Sequence, residues 1–350
     1  MSEAVIELRH IEKTYLVRTR AGWLRREKRR VQAVNDVSFS VNAGEMVGYL
    51  GPNGAGKSTT IKMITGILTP TSGSLEVLGL KPTADRRELT KRIGVVFGQR
   101  SQLWWDLPLI DSFELLHHVY RTEAQRHRQN LASFVERLDL GEFLDVPVRQ
   151  LSLGQRMRGE LTAALLHDPA LVVLDEPTIG LDVVSKHAVR QFLTETNRER
   201  GTTVLLTTHD LDDVEQLCQR MLIIDHGRVV LDGSVGGFKD EHGTDRTLIV
   251  DLERPAPALQ LATGTVTETV GPRQWIRFDR TTSAAEVIAE VTERAQVRDL
   301  TIEEPDIEDL IRNLYSSTTD LDGTARRPRS NRSSRAGSVP GSITCRSPSS

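Results

Sequence analysis

The segment 51–59, with the sequence GPNGAGKST, fits the phosphate-loop pattern G-x-x-x-x-G-K-[ST] at every fixed position. It follows an apolar, strand-like run at 46–50 and precedes a segment, 59–67, that we predict to be helical. Glycines allow backbone N–H groups to curl around an anion, and the positive end of a helix dipole favours the same charge. The pattern therefore predicts a nucleoside triphosphate held through its phosphates by Gly51, Pro52, Asn53, Gly54, Ala55, Gly56, Lys57, Ser58 and Thr59.

Two side chains of this loop carry specific predictions. Lys57 is expected to reach the β- and γ-phosphates, and the Ser58 hydroxyl is expected to be a ligand of Mg²⁺, which takes few protein ligands and keeps several waters. The alternative is a glycine-rich turn that binds nothing. The strand before the loop and the helix after it favour the phosphate site, because that is the context the motif requires.

A second motif is the apolar run 171–174 followed by two adjacent carboxylates, Asp175 and Glu176. Such residues emerge at the carboxyl edge of a parallel sheet, where ligands bind. We expect Asp175 to hold Mg²⁺ directly or through water and Glu176 to orient the attacking water, because phosphoryl transfer depends mainly on positioning the nucleophile. Alone, this pair could be solvated turn residues; together with the phosphate loop it indicates a catalytic site.

Composition limits the remaining possibilities. A chain of 350 residues has room for a main domain and a smaller one, and its net charge of -3 provides no global attraction to nucleic acid or anionic lipid. The two cysteines, Cys218 and Cys345, indicate a reducing compartment rather than a disulfide framework. Neither a run of about 20 apolar residues nor an apolar signal region at the N-terminus is seen, so we predict a soluble, cytoplasmic chain.

Short apolar runs alternate with longer amphipathic segments, which predicts an α/β fold. The domain boundaries that follow are 1–235 for the nucleotide-binding domain, with a helical subdomain at about 100–165, 236–315 for an accessory α+β domain, and 316–350 for a disordered tail that is too polar to order. Predicted strands are 5–9, 37–41, 46–50, 75–78, 93–97, 171–174, 204–207, 248–252 and 274–278; predicted helices are 156–165, 284–294 and 307–314.

The order of these motifs resembles the ATP-binding subunits of ATP-binding cassette (ABC) transporters over about residues 6–233. This resemblance implies a P-loop NTPase fold, ATP and Mg²⁺ as ligands, and ATP hydrolysis. It further implies that Tyr15 stacks on adenine, that Gln99 senses Mg²⁺ and couples it to the rest of the protein, and that His209 lies at the γ-phosphate as the switch histidine.

The family's signature corresponds to 151–155, LSLGQ, in which Leu153 stands where the commonest form has its first glycine. The resemblance implies that Ser152, Gly154 and Gln155 close over nucleotide bound to a second subunit, either another copy or a homologous ATPase, in a head-to-tail dimer. Asp182, in the run IGLD, resembles the loop that joins the two sites. Leu153 leaves open a second possibility, a catalytically weak regulatory module.

The segment 18–30 carries seven basic residues against one acidic, together with Trp23 and Leu24. A solvated hairpin loop, contact with anionic lipid or a membrane partner, and a nucleic-acid surface are all compatible with it. The adjacent tryptophans Trp104 and Trp105 resemble the region that receives the coupling helix of a membrane partner, with burial inside this subunit as the alternative.

The sequence around these tryptophans and around the signature is most similar to bacterial ABC-2 exporter ATPases of the viologen and multidrug type. The predicted function is therefore an ATPase subunit that powers export through a separate integral membrane permease, located peripherally on the inner face of the cell membrane. A soluble ABC-type ATPase acting on the ribosome or nucleic acid is the alternative, although no specific nucleic acid is expected.

Overall fold

A computed structural model of the chain describes residues 4–20, 26–98, 100–208, 210–242, 245–279, 281–303 and 310–311. All of these except Ile311 belong to one compact unit, Met1–Leu310. The strands are β1 (Ala4–Arg20), β2 (Arg26–Asn42), β3 (Met46–Leu50), β4 (Ser72–Val77), β5 (Ile93–Phe97), β6 (Leu171–Asp175), β7 (Thr203–Thr207), β8 (Arg220–Asp225), β9 (Arg228–Ser234), β10 (Asp245–Leu252), β11 (Thr265–Val270), β12 (Arg273–Asp279) and β13 (Val297–Glu303). The helices are α1 (Lys57–Ile64), α2 (Arg86–Leu89), α3 (Leu109–Tyr120), α4 (Ala124–Arg137), α5 (Leu153–Leu165), α6 (Val183–Arg200), α7 (Leu211–Leu217), α8 (Val235–His242) and α9 (Ala284–Arg294), with short 3₁₀ turns at Gly141–Phe143 and Val148–Gln150.

The central sheet has the strand order β5-β6-β7-β3-β8-β9, parallel except for the edge strand β9. Every residue of β3 and β7 is buried, which explains why these strands read as continuous apolar runs rather than as alternating ones. Strand β3 pairs with β7 on one side and β8 on the other, and β6 lies between β5 and β7. The predicted α/β fold is confirmed, and both motif-bearing strands are interior strands of one sheet.

An antiparallel sheet, β2-β1-β4, packs against the parallel one around a shared apolar core that includes Ile6, Val41, Tyr49 and Ile61. The strands predicted at 5–9 and 37–41 are much longer, because β1 and β2 pair, with several register shifts, from Ala4 with Asn42 to Arg20 with Arg26. Most of the basic segment 18–30 is therefore backbone of a β-ribbon rather than loop. Its tip, with Trp23 and Leu24, lies outside the described residues.

The predicted helical region between β5 and β6 is confirmed as α3, α4 and α5. The helix predicted at 59–67 occupies 57–64; it ends before Gly66, whose φ of 71° is a left-handed conformation that glycine adopts at helix ends. Within the described ranges, no helix is both long enough and apolar enough to cross a bilayer.

The C-terminal strands form a separate antiparallel sheet, β11-β12-β10-β13, covered by α9 through Val287 and Val291. Helix α9 coincides with the predicted 284–294, and the strands predicted at 248–252 and 274–278 are found, each slightly longer. The domain boundary at 235 stays a prediction. Of the predicted helix 307–314 only Leu310 and Ile311 are described, both helical, and the tail 316–350 lies outside the described residues.

Candidate nucleotide site

The phosphate loop leaves β3 in the middle of the parallel sheet and turns into α1. Its glycines Gly54 and Gly56 adopt φ values of 86° and 111°, which L-residues with a side chain rarely adopt. A Cβ atom at Gly56 would lie 2.5 Å from the carbonyl oxygen of Ala33, so the loop can pass this backbone only with glycine. The backbone of the described loop thus has the shape that the sequence motif predicts.

Lys57 is the first residue of α1, and its ammonium group donates hydrogen bonds to loop carbonyls, to Gly51 O and, at 3.2 Å, to Pro52 O. Burial lowers the pKa of Lys57, while the nearby carboxylates Glu176 and Asp175 oppose that shift. The N-cap residue, Gly56, has no side chain, so the N–H groups of this helix start are not capped by one. An anion is the natural partner for such a helix start.

The two carboxylates lie at the carboxyl end of β6, held between two neighbouring strands. Asp175 accepts a hydrogen bond from the Thr207 hydroxyl at 2.6 Å, and its carbonyl accepts one from the Gly98 N–H at 2.9 Å. Glu176 donates its N–H to Thr207 O at 2.9 Å. Glu176 has a φ of 55°, a conformation that costs a residue with a side chain about 1–3 kcal/mol and is concentrated at functional sites.

The phosphate loop and the carboxylates line a common cleft of about 660 Å³, within the range typical of small-molecule sites. A smaller adjoining recess of about 180 Å³ contains Lys57 and the loop glycines together with the same two carboxylates. The structure therefore brings together Ser58, Asp175 and Glu176. Six further lining residues were not predicted from the sequence: Lys62, Ile67, Phe97, Gly98, Arg100 and Ile179.

The oxygen donors of this cleft suit a magnesium ion, because a hydroxyl and a carboxylate are ligands that Mg²⁺ takes when phosphates and waters complete its shell. No cluster of three or more His, Cys, Asp or Glu side chains suited to a metal occurs in the described part of the chain. A metal held by Ser58, Asp175 and phosphate oxygens needs no such cluster.

The signature residues sit at the start of α5 and are bonded to one another. The Gln155 N–H donates to the Ser152 hydroxyl at 3.2 Å and the Ser152 N–H donates to the Gln155 side-chain oxygen at 2.9 Å, which is a complete capping box. Asp182 likewise caps α6, accepting from the N–H of Ser185 at 2.9 Å and from its hydroxyl at 2.7 Å. Those hydrogen bonds lower the pKa of the Asp182 carboxyl.

The two capped loops touch each other. A Cβ atom at Gly154 would lie 3.0 Å from the Ser185 hydroxyl, and one at Gly180 would lie 2.7 Å from a methyl carbon of Leu153. Leu153, the residue that replaces a glycine in the signature, thus packs against the turn that precedes Asp182. Neither Ser152, Gly154, Gln155 nor Asp182 lines the cleft of its own chain.

Of the three remaining predicted site residues, only Tyr15 is described. It lies on β1 opposite Val31, half-buried, with the Lys13 ammonium 5.5 Å from its ring centre, and it lines neither cavity. Gln99 and His209 lie outside the described residues. Their neighbours are placed: Gly98 lines the cleft, and Thr208 is fully buried.

A buried carboxylate that sequence reasoning missed fastens the turn after Glu176. Asp213 has no solvent exposure and accepts hydrogen bonds from the hydroxyls of Thr178 and Thr208 and from the Arg190 guanidinium. These groups come from four separate segments, and no local motif marks their pairing. This buried aspartate therefore links the turn after Glu176, at Thr178, to the residue that follows β7, Thr208.

Comparison with known proteins agrees with this geometry. A family model described as ABC transporter matches residues 34–179. The Nod factor export ATP-binding protein I of Burkholderia orbicola is 35% identical over 259 residues, covering 74% of this chain and 79% of that protein. The ABC transporter ATP-binding protein NatA of Bacillus subtilis is 31% identical over 224 residues, covering 64% of this chain and 91% of NatA.

Solved structures give the same assignment. An ATP-binding subunit of an ABC transporter superimposes with a TM-score of 0.59 at 25% identity, over 68% of this chain and 93% of that one. The dimeric, post-hydrolysis structure of the ATP-binding cassette MJ0796 bound to ADP and Pi has a TM-score of 0.56 at 28% identity, over 66% of this chain and 98% of that one.

The fold and the site define a P-loop nucleotide-binding protein with a carboxylate pair at the phosphate end. The chain belongs to the family of ABC transporter ATP-binding proteins, and it is an ATP-binding subunit with ATP hydrolase activity. None of these relatives is described as acting on ribosomes or nucleic acid, and the alternative function of that kind has no support.

Proposed function

We propose that this chain hydrolyses ATP with Mg²⁺ to power export through a separate ABC-2-type membrane permease. The observation that carries the proposal is the single cleft lined by Ser58, Asp175 and Glu176, with Lys57 in the adjoining recess. Relatives named as export ATP-binding proteins support the direction of transport. The cellular location follows as peripheral, on the inner face of the membrane that holds the permease.

The residues of the cleft have separate roles in ATP binding and hydrolysis. Lys57 and the loop N–H groups bind the phosphates, and Ser58 and Asp175 would hold the metal, which supplies positive charge at the β- and γ-phosphate oxygens. Glu176 orients the attacking water and polarises it. The strained backbone of Glu176 and its N–H bond to Thr207 O keep that carboxylate in place before substrate arrives.

The remaining predicted residues complete the proposal. Tyr15 stacks on adenine, while Gln99 and His209 sense the metal and the γ-phosphate. Ser152, Gly154, Gln155 and Asp182 contact the nucleotide of a second subunit, either another copy or a homologous ATPase. The dimeric state of the cassette MJ0796 supports that arrangement, and so does the position of these residues away from the cleft of their own chain.

The C-terminal region is proposed as a separate accessory domain, 236–315, that supports dimerisation or regulation. Its own apolar core, formed by the sheet β10–β13 and α9, supports a domain boundary near 235. The described residues of this sheet contain no further carboxylate–lysine arrangement like that of the cleft.

The proposal is tested by Glu176→Gln in the full chain. This change keeps the shape of the side chain but removes the base, so ATP turnover should fall by about 10²- to 10⁴-fold while ATP binding is retained and the dimer accumulates. Glu142→Gln, at an exposed glutamate in a 3₁₀ turn, is the matched control and should keep wild-type turnover. Unchanged turnover in Glu176→Gln would refute the assigned role.

The permease part of the proposal has its own experiment. Affinity purification of the tagged chain from detergent-solubilised membranes should recover a multi-span membrane protein. Recovery with ribosomes or nucleic acid instead, in material that still hydrolyses ATP, would leave the ATPase assignment intact and remove the transporter assignment.

A further inference from the structure

The loop that carries the two adjacent tryptophans, residues 100–108 and here called the tryptophan loop, is bonded to the middle of α5 by one buried glutamate. The Glu160 carboxylate accepts a hydrogen bond from the Ser101 hydroxyl and one from the Gln102 N–H at 3.2 Å. The Gln102 side chain donates back to the Glu160 carbonyl at 3.1 Å. Three hydrogen bonds thus connect two consecutive loop residues to a single helical residue.

Glu160 is a buried carboxyl group whose polar partners are the tryptophan loop and the nearby Arg156 guanidinium. It is 4% exposed, and burial raises the pKa of its carboxyl, against the effect of the hydrogen bonds from Ser101 and Gln102. A buried carboxyl group costs several kcal/mol unless it is hydrogen-bonded, and an apolar residue would fill the same helix position without that cost. What the glutamate provides is a fixed geometry between the helix and the loop.

The neighbouring contacts continue this attachment along the loop. A Cβ atom at Gly159 would lie 3.3 Å from a methyl carbon of Leu103, so the glycine allows that buried side chain to approach the helix closely. The backbone N–H of Trp104 donates a hydrogen bond to the Ser112 hydroxyl of α3 at 3.2 Å. The loop is therefore held at both sides of Leu103, and the indoles that follow project from a fixed base.

The tryptophans themselves remain accessible. Trp104 is 39% exposed and Trp105 is 52% exposed, so burial inside this subunit does not account for them. The Arg156 guanidinium, in the first turns of α5, lies 5.9 Å from the Trp105 ring centre. The helix that begins with the signature residues therefore approaches the indole of Trp105 and is hydrogen-bonded to the loop that carries both tryptophans.

We infer that Glu160 is a positioning residue that makes the tryptophan loop move with α5, so that nucleotide engaged at the signature changes the presentation of Trp104 and Trp105. The inference rests on the proposed function, because it requires ATP to act on the signature end of α5. A helix transmits displacement along its axis as a rigid body, and Glu160 lies two turns from Ser152. Without the carboxylate the loop would lose two of its three hydrogen bonds to Glu160 and keep the one that Gln102 donates to the backbone carbonyl.

The experiment uses the full chain with Trp23→Phe and Trp275→Phe, which leaves Trp104 and Trp105 as the fluorescent tryptophans. Acrylamide quenching is measured with and without ATP and Mg²⁺, and ATP affinity is measured separately by calorimetry. We expect ATP to change the quenching constant in this background. In Glu160→Ala that change should be lost while the ATP affinity is kept, and Glu160→Gln, which keeps the side-chain size and one of the two acceptor oxygens, should retain part of it.

Thr162→Ala is the matched control, since this buried threonine is on the same helix and its hydroxyl bonds only within it, to Arg158 O at 3.0 Å. It should keep the ATP-dependent change. If Glu160→Ala does not unfold cooperatively, Ser101→Ala decides the question, because it removes one of the three hydrogen bonds without emptying a core position. A reduced ATP-dependent change in Ser101→Ala supports the inference, and an undiminished one refutes it.

The outcomes separate the inference from the function beneath it. If the parent protein fails to bind ATP, the proposed function fails and with it the premise. If ATP binds but quenching does not respond, or responds equally in Glu160→Ala, the nucleotide assignment stands and the positioning role of Glu160 is wrong.

Discussion

The two helix starts for which we propose contacts with ATP, those of α1 and α5, are built in opposite ways. At α1 the N-cap is Gly56, which offers no side-chain acceptor, and Lys57 is bonded to loop carbonyls. At α5 the N-cap is Ser152, whose hydroxyl and backbone N–H are both engaged with Gln155. The N-terminus of α1 thus has no side-chain cap, whereas the N-terminus of α5 is capped by its own residues Ser152 and Gln155.

This contrast assigns different requirements to the two loops. Under the proposed function, phosphate at α1 would take donors that no side chain occupies and would replace the carbonyls bonded to Lys57, so binding there would depend on a lysine and on loop shape. Phosphate at α5 would have to share or displace the capping box, which is worth about 1 kcal/mol in a typical helix. We therefore expect a primary site at the phosphate loop and a weaker, conditional contact at the signature.

The largest expected effect is that of Lys57→Ala. Removing the only side-chain cation assigned to the phosphates should lower ATP turnover by about 10²- to 10³-fold, the loss typical of deleting one preorganised charge-stabilising donor, with ATP binding weakened as well. Steady-state hydrolysis and calorimetry measure both. Lys239→Ala, on α8 and outside both cavities, is the control. If Lys57→Ala hydrolyses ATP nearly as fast as wild type, the phosphate loop is not the primary phosphate site and the difference proposed between the two loops is wrong.

The second effect concerns the far end of α5, where His167 holds the helix to the central sheet. His167 stacks on Tyr120 with ring centres 3.8 Å apart, and its Nε2 lies 3.1 Å from the carbonyl oxygen of Ile93. Burial is the main cause that lowers the pKa of His167 from 6.5 to about 4. The helix that carries the signature is therefore stabilised by a histidine that stays neutral in the folded protein down to about pH 4.

The sign of the pH dependence follows from this shift. Above pH 6.5 the imidazole is neutral in both states, whereas between 6.5 and about 4 the unfolded chain gains a proton that the folded protein excludes. The free energy of unfolding should fall through that window, by about 3 kcal/mol at most. In His167→Phe, which keeps the ring stack, urea titrations should show a shallower fall, while the exposed control His187→Phe should follow wild type. If the free energy of unfolding falls equally steeply with pH in wild type, His167→Phe and His187→Phe, the fall does not originate at His167.

The third effect compares two glycines of the phosphate loop. Gly56→Ala should destabilise the fold by about 2 kcal/mol and weaken nucleotide binding, because it adds backbone strain and brings a Cβ within 2.5 Å of Ala33 O. Gly54→Ala shares the left-handed backbone, but nothing lies within 4 Å of its added carbon, so its cost should be smaller. Urea denaturation measures both, and a Gly54→Ala variant as unstable as Gly56→Ala would contradict the steric reason.

The smallest effect is expected for Ser152→Ala. Loss of the capping box should reduce the free energy of unfolding by about 1 kcal/mol. If the signature also serves as a conditional phosphate contact, ATP turnover should fall in Ser152→Ala while ATP affinity of the isolated chain stays within a few-fold of wild type. Ser185→Ala, which removes a hydroxyl bonded to the cap of α6, provides the comparison at the neighbouring loop. If Ser152→Ala has normal ATP turnover, the Ser152 hydroxyl serves only to cap the helix.

Sequence predicted the site where its residues are contiguous. The phosphate loop and the pair Asp175–Glu176 each occupy one short segment, and the strand and helix around them specify their geometry, so both could be predicted without a structure. Glu160 and Asp213 could not be, because their partners come from segments far along the chain and only packing brings them together. The positive φ of Glu176 is also invisible in a sequence.

The same reasoning explains some of the elements that were missed, although it does not explain the buried strand β8, which the sequence analysis also left out. Strands β11 and β13 are mostly exposed, so they lack the regular alternation of apolar and polar residues that predicts a strand. The ends of β1 and β2 were missed because a run of arginines and lysines resembles a loop, although cross-strand pairing extends through it. The roles proposed for Tyr15, Gln99 and His209 stay predictions.

The interior position of β3 has a mechanical consequence. Because hydrogen-bonded neighbours hold this strand on both sides, we expect the phosphate loop at its end to move less than the helices at the periphery. A change of shape that ATP produces should then appear mainly in the helices outside the central sheet.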